Sequence, residues 1–322
     1  MNHVEIVPPS APRSDEGQVV STRDRSAKFY RRGWLASFRF GHVLRILVMV
    51  FVGICFLYPI IALLVAPTRS QANMDLGGIA IGSFTNVHYA WSQIMGFDNG
   101  IFLQWFKNTV IMVGGGTLLA IAISIPSGYA MARLRFPGRS ALLIVTLLLM
   151  VMPNTVLVIP IFLEVSTVHL LNSYGPVIMI FGFFPFGVYL AYIHFRNTLP
   201  MELIEAGRMD GLKESGIFFR IALPLSRQAV ALVGFFAFVA GWTNFFLPFV
   251  LLPQTQKAPL PIGLMQLIST SQLFNEEAGL NVKLYMPELA LASVVTVLPI
   301  LVVFLVAQRY LQRGTIMGAV KG

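Results

Sequence analysis

The sequence predicts an all-α polytopic membrane protein: six transmembrane helices, with one further short helix in the loop between spans four and five. Three observations predict it. Only 11% of the 322 residues are charged and 56% are hydrophobic, with a mean hydropathy of +0.74; a soluble domain carries about a quarter of its residues as charges, so these few cannot cover a water-facing surface of this size. Six stretches approach the roughly 20 apolar residues that a helix needs to cross the hydrocarbon core: residues 43–66, 110–132, 141–162, 174–195, 229–252 and 289–307. The basic residues then fall almost entirely into alternate loops.

Before the first span, residues 1–42 read as a largely disordered tail that turns basic, with Pro8, Pro9 and Pro12 followed by Arg23, Arg25, Lys28, Arg31, Arg32 and Arg39. A secretory signal is not expected, because the first apolar run begins after residue 42 and is too long for an h-region. Residues 43–308 form the six-helix domain and 309–322 a C-terminal tail. Within the spans the one formal charge is Arg45, placed to snorkel near the start of the first. Period-2 alternation is absent, which argues against a membrane barrel.

Of the 23 Lys and Arg, 19 lie in the N-terminal tail up to Arg45, the loop after span two (Arg133, Arg135, Arg139), the loop after span four (Arg196, Arg208, Lys213, Arg220, Arg227) and the C-terminus. Basic residues mark the cytoplasmic side, so both termini are expected inside a cytoplasmic membrane. The net charge of +9 therefore reports topology; no basic face with interleaved aromatics points to nucleic acid. The single cysteine, Cys55, and five scattered histidines give neither a disulfide framework nor a metal spacing, so no metal or cofactor is expected on this chain. Each span holds proline: Pro59, Pro126, Pro153, Pro160, Pro176, Pro185, Pro248 and Pro299. Proline kinks a helix and frees a carbonyl. Kinks suit a gated pathway, although proline is common in membrane helices generally.

The loop after span four carries the most information, and residues 200–224 form its core. Pro200 can open a helix at its first position, and Glu202 and Glu205 favour the macrodipole there. Leu203, Ala206 and Met209 share one side at helical spacing, and Gly211 permits the left-handed turn that ends such a helix. A second short helix over about 213–221 then leads to Pro224. The residues alone describe an amphipathic helix, a turn and a return to the membrane.

This loop resembles the EAA loop of ABC importer permeases. The matching residues are Glu205-Ala206-Gly207, then Asp210-Gly211, then Pro224 before the next span. Gly207 stands where the motif has a second alanine; glycine for alanine costs a helix about 0.8–1 kcal/mol, so the helix is expected to depend more on its partner for order. Further stretches are similar to carbohydrate-uptake permeases: Asn108-Thr109; Tyr129-Ala130-Met131-Ala132-Arg133 with Phe136-Pro137-Gly138; Phe186 to Leu190; Trp242-Thr243-Asn244; Leu260-Pro261-Ile262-Gly263; Gln308-Arg309-Tyr310; and the final Gly318 to Gly322. The likeness runs from about residue 84 to 322 and is strongest to the maltose-type second permease.

The resemblance implies a transport subunit, not an enzyme. It would form half of a pathway for a sugar or oligosaccharide, with a second permease, two ATPase subunits that hold ATP and Mg, and an extracytoplasmic binding protein. Glu205, Ala206, Gly207, Asp210, Gly211 and Pro224 would then be the coupling residues toward the ATPase. The chain itself has no G-x-x-x-x-G-K-[ST] phosphate loop; Gly114-Gly115-Gly116 lacks the lysine and reads as close helix packing. Polar or aromatic groups at membrane depth are candidates for the substrate pathway: Asn154, Tyr189, Trp242 and Asn244, with Glu164 and Asn172 nearer the outer loop. Interhelical packing is the competing reading for each. Half of a secondary transporter is the alternative function class, but that class uses ionisable groups near the midplane, and the spans hold none there. A membrane enzyme would need a nucleophile and base pair or paired carboxylates, which the spans do not contain.

Overall fold

The computed structural model describes residues 23–78, 80–275 and 283–311, with side chains from 42 to 310. Among these residues every regular element is helical. Residues 1–22 and 312–322, which contain parts of both expected tails, lie outside the described residues.

The chain divides into two compact units, 1–60 and 61–322. The described residues of the first belong to one helix, α1 (Arg23–Val65). None of the side chains of residues 43–60 is buried, as expected of a helix whose neighbours are lipid or another subunit. The helix starts at Arg23, so residues 23–42, expected as disordered tail, are helical. No proline interrupts the chain between Pro12 and Pro59, and a helix nucleated in the apolar run has nothing to stop it earlier.

The second unit contains α2 (Gln71–Asp75), α3 (Phe84–Gly96) and α4 (Ile101–Arg133). At about 1.5 Å per residue α4 is some 50 Å long, well beyond the roughly 30 Å hydrocarbon core. It begins after three left-handed residues, Asp98, Asn99 and Gly100, that separate it from α3. Then come α5 (Arg139–Val151), α6 (Val158–Thr167), α7 (Tyr174–Gly182) and α8 (Pro185–Thr198). The loop after span four holds α9 (Met201–Met209), α10 (Glu214–Ile217) and α11 (Leu223–Leu225). The chain closes with α12 (Arg227–Trp242), α13 (Phe246–Leu251), α14 (Leu260–Thr270) and α15 (Met286–Leu311).

Among the described residues four helical segments are long and apolar enough to cross a membrane, or up to six where each of two bent pairs counts as one span. Breaks in spans three and four fall at prolines, where kinks are expected. In span three the chain turns by 96° between 139–151 and 154–167, because Pro153 forces Met152 out of the helical region. Span four breaks at Phe183–Phe184, and Pro185 restarts it at the first helical position. The segment expected as one span over 229–252 ends at Trp242; Thr243 to Phe245 separate it from α13. On its other side, residues 214–225 join α12 at a bend of 77°.

α4 is the organising helix. It packs on α7, α8 and α12, and α12 packs on α15. Three apolar clusters lie along it: one around Phe102 and Trp105, one around Met112, Val177 and Leu251, and one around Tyr129, Phe195, Ile204 and Phe218. Close approach along α4 rests on glycine. A Cβ on Gly116 would sit 2.4 Å from Cβ of Phe181 in α7, and one on Gly128 would sit 2.4 Å from Cβ of Ala191 in α8. In the Gly114–Gly116 run, Gly115 and Gly116 pack against α7, while Gly114 has open space at its Cβ position.

Candidate functional site

α9 is a short helix with two unlike sides. Ile204 and Gly207 are buried, while Leu203, Ala206 and Met209 are exposed, Met209 to 88%. The apolar residues that share one side by spacing therefore face away from the rest of the chain. Glu205 is exposed and makes no hydrogen bond or ion pair among the described residues.

The inward side explains Gly207. A Cβ there would lie 2.9 Å from Cδ1 of Ile221 and 3.3 Å from Cγ1 of Ile217. The glycine lets α9 lie close against the segment that follows it, so packing within this chain contributes to its order.

The helix stops by a Schellman motif. The amide of Leu212 donates to the carbonyl of Gly207 (3.0 Å) and that of Gly211 to Arg208 (3.0 Å). Gly211 has φ +81° with open space around its Cβ position, so glycine is needed there for backbone conformation, not for room. Asp210 is the C-cap, its amide donating to Ala206 (2.9 Å). Arg208 pairs with Glu214 across the turn (Nη2 to Oε1 2.8 Å); both are largely solvated, so the pair contributes no more than about 1 kcal/mol. Residues 218–222 then form a π-helical turn in which Leu223 N–H donates to Phe218 O. Pro224 accounts for it: its ring excludes the carbonyl of residue 220, and a wider turn relieves the clash.

Both flanks of α9 attach to the end of α4. Arg133, its last residue, donates from Nε (3.0 Å) and Nη2 (2.7 Å) to the carbonyl of Phe195, from Nη2 to that of Arg196 (3.2 Å), and also to that of Leu199. These are carbonyls at the C-terminal end of α8, where a cation is favoured. On the other flank Phe218 packs against Tyr129 (ring centroids 5.1 Å apart), which also meets Phe195 edge-on at 5.4 Å. Neither residue was a site candidate from sequence; the only signal was their place in the Tyr129–Arg133 stretch.

The expected pathway residues do not converge. Asn154 is exposed at the 96° bend. Tyr189 is half-buried and stacked on Tyr192 at 6.2 Å. Trp242 is buried, its Nε1 donating to Thr296 O (3.0 Å) and its ring stacked on Phe238 at 5.1 Å; it holds α12 against α15. Asn244, just before α13, accepts at Oδ1 from the Leu247 amide in its first turn (3.3 Å). Glu164 is exposed. Asn172 pairs its backbone with Leu251 (2.8 Å) and accepts from Nζ of Lys257 (2.7 Å). None of them lines the open cleft of about 520 Å³ at the start of α4, among Asp98, Gln104, Lys107 and Gln256.

Beside that cleft the Asn108-Thr109 pair has a clear task. Asn108 is wholly buried and uses its full amide capacity. Nδ2 donates to the carbonyls of Gln256 (2.8 Å) and Ala258 (2.9 Å), and Oδ1 accepts from Gln104 (2.9 Å) and the Tyr174 hydroxyl (2.8 Å). Thr109 accepts from the Leu260 amide (2.7 Å) at the start of α14, and Trp105 donates to Thr255 O (2.8 Å). A Cβ on Gly263 would lie 2.1 Å from Trp105 Cε3. The Leu260–Gly263 stretch is therefore shaped to seat on the Trp105 indole.

Residues 120–317, more than half of the chain, match the model of the family described as binding-protein-dependent transport system inner membrane component. The chain belongs to this family. The match spans α9 and its anchors, so the inverted packing of Gly207 and the Arg133 bonds are features of a transport permease component. Among its relatives is the arabinooligosaccharides transport system permease protein AraQ of Bacillus subtilis (strain 168), 30% identical over 278 residues that cover 84% of this chain and 92% of AraQ. Another is the diacetylchitobiose uptake system permease protein NgcG of Streptomyces coelicolor (strain ATCC BAA-471 / A3(2) / M145), 32% identical over 208 residues, 64% of this chain and 66% of NgcG. The fold is shared with a chain in the crystal structure of a bacterial ABC transporter involved in import of the acidic polysaccharide alginate, with TM-score 0.73 and 23% identity over 85% of this chain and 97% of that one.

Proposed function

We propose that this permease component forms one half of an ATP-driven import pathway for a sugar or oligosaccharide, and that α9 is the helix through which a separate ATPase subunit acts on it. One observation carries the reading: α9 is held firmly by its own chain through Ile204 and Gly207, yet presents Leu203, Ala206 and Met209 outward with no cover. An apolar helical face rimmed by Glu202, Glu205 and Arg208 suits a groove on a partner. The relatives' names, which concern arabinooligosaccharides and diacetylchitobiose, favour a carbohydrate. ATP and Mg would sit on the partner. A second permease and a binding protein complete the assembly, with both termini and α9 on the cytoplasmic side.

Co-purification tests this. Leu203→Asp places a charge on the outward face without touching the packed side. The variant should insert normally and lose the ATPase subunit. Recovery of the ATPase at the wild-type level would sink the docking reading.

A further inference from the structure

Resting on the docking reading, we propose that Arg133 is a positioning residue: a latch that makes α9 and the end of α4 move as one body, so that a push on α9 is delivered to the helix at the centre of the fold. Three observations place it there. Arg133 binds the chain at Phe195, Arg196 and Leu199, the last residues before Pro200 and α9. Tyr129, one helical turn earlier on the same helix, receives Phe218 on the far flank of α9. The two attachments thus bracket α9 and both lead to the last turns of α4, the helix that packs on α7, α8 and α12.

The chemistry is specific to arginine. Its planar fork spreads donors over several ångströms and reaches carbonyls four residues apart; a lysine ammonium is a point donor and cannot hold that spread. The bonds go to backbone carbonyls, so the latch grips the path of the chain and not side chains that could swing away. The Tyr129 hydroxyl has no hydrogen-bond partner among the described residues, so its ring contacts carry its part, and Tyr129→Phe serves as the internal control.

The test uses the full complex of both permeases, ATPase subunits and binding protein, with Cys55→Ser in this chain. Spin labels are placed at Leu118, exposed on α4, and at Ser215, exposed just after α9. With Arg133 and with Tyr129→Phe, the 118–215 distance should be narrow and equal in nucleotide-free and ATP–vanadate states. With Arg133→Lys the distribution should widen, and stimulation of ATPase by the binding protein should fall about tenfold, in the range of site-to-site coupling, while the subunits still co-purify. A narrow distribution and full stimulation in Arg133→Lys overturn the proposal. So does a variant that assembles poorly but whose assembled fraction behaves as wild type, since the role is then structural. The docking reading fails separately: Leu203→Asp would keep its ATPase whatever the spin labels report.

Discussion

The two ends of α4 solve the same problem in opposite ways. At the Ile101 end, Trp105, Asn108 and Thr109 are buried and spend their polar groups on the backbone of 255–260. At the Arg133 end, a half-exposed guanidinium holds carbonyls at the water boundary, and the helix it anchors shows an uncovered apolar face. The first end is complete within the chain. The second is stiff on its inner side and open on its outer side, which is the form expected of a part that another protein must hold and move.

Substitutions at the two ends should therefore differ in kind as well as in size. The largest effect is expected from Asn108→Leu, which leaves two carbonyls and the Tyr174 hydroxyl without their partner in a buried site. At about 1–3 kcal/mol for each unmet group, thermal unfolding in detergent should show a loss of about 3 kcal/mol or more. Equal stability to wild type would dissolve the contrast. Gly211→Ala should cost about 1–2 kcal/mol, because a Cβ residue must adopt φ +81°, and the cost should appear as reduced helicity and reduced ATPase binding of the loop, not as global unfolding. The smallest effect is expected from Gly207→Ala. The helix gains about 0.8–1 kcal/mol in propensity, offset as the new Cβ displaces the tip of Ile221 and crowds Ile217 by a few tenths of an ångström; Gly207→Leu, by comparison, should detach α9 from its bed. Co-purification and protease protection of the loop distinguish the two. A Gly207→Leu variant with wild-type protection would show that the inner packing is unimportant.

Much of this was legible in the residues. Six apolar stretches, the proline-rich spans and the amphipathic loop follow from hydropathy and spacing, and the Schellman end of α9 follows from Gly211. Spacing placed Leu203, Ala206 and Met209 together but could not tell which side of a helix its own chain covers, because that depends on where Ile217 and Ile221 return. Propensity treats a helix as isolated, so it shows the cost of Gly207 but not the room it leaves for Ile221, which a Cβ there would meet at 2.9 Å. Trp242 and Asn244 stood out as polar or aromatic groups at depth, yet their partners, Thr296 and Leu247, are set by breaks in span five that composition does not locate. Arg133 went unmarked because a basic residue after a span reads as topology; only the positions of the Phe195 and Leu199 carbonyls give it a second role.

If the outward side of α9 is the contact for an ATPase subunit, photo-crosslinking in the assembled complex should reveal it, with a benzoylphenylalanine at Met209 on the outward side and, for comparison, at Ile204 on the inward side. An adduct to the ATPase subunit is expected from position 209 and none from 204. Adducts from 209 only to lipid or to the second permease would show that the ATPase binds elsewhere.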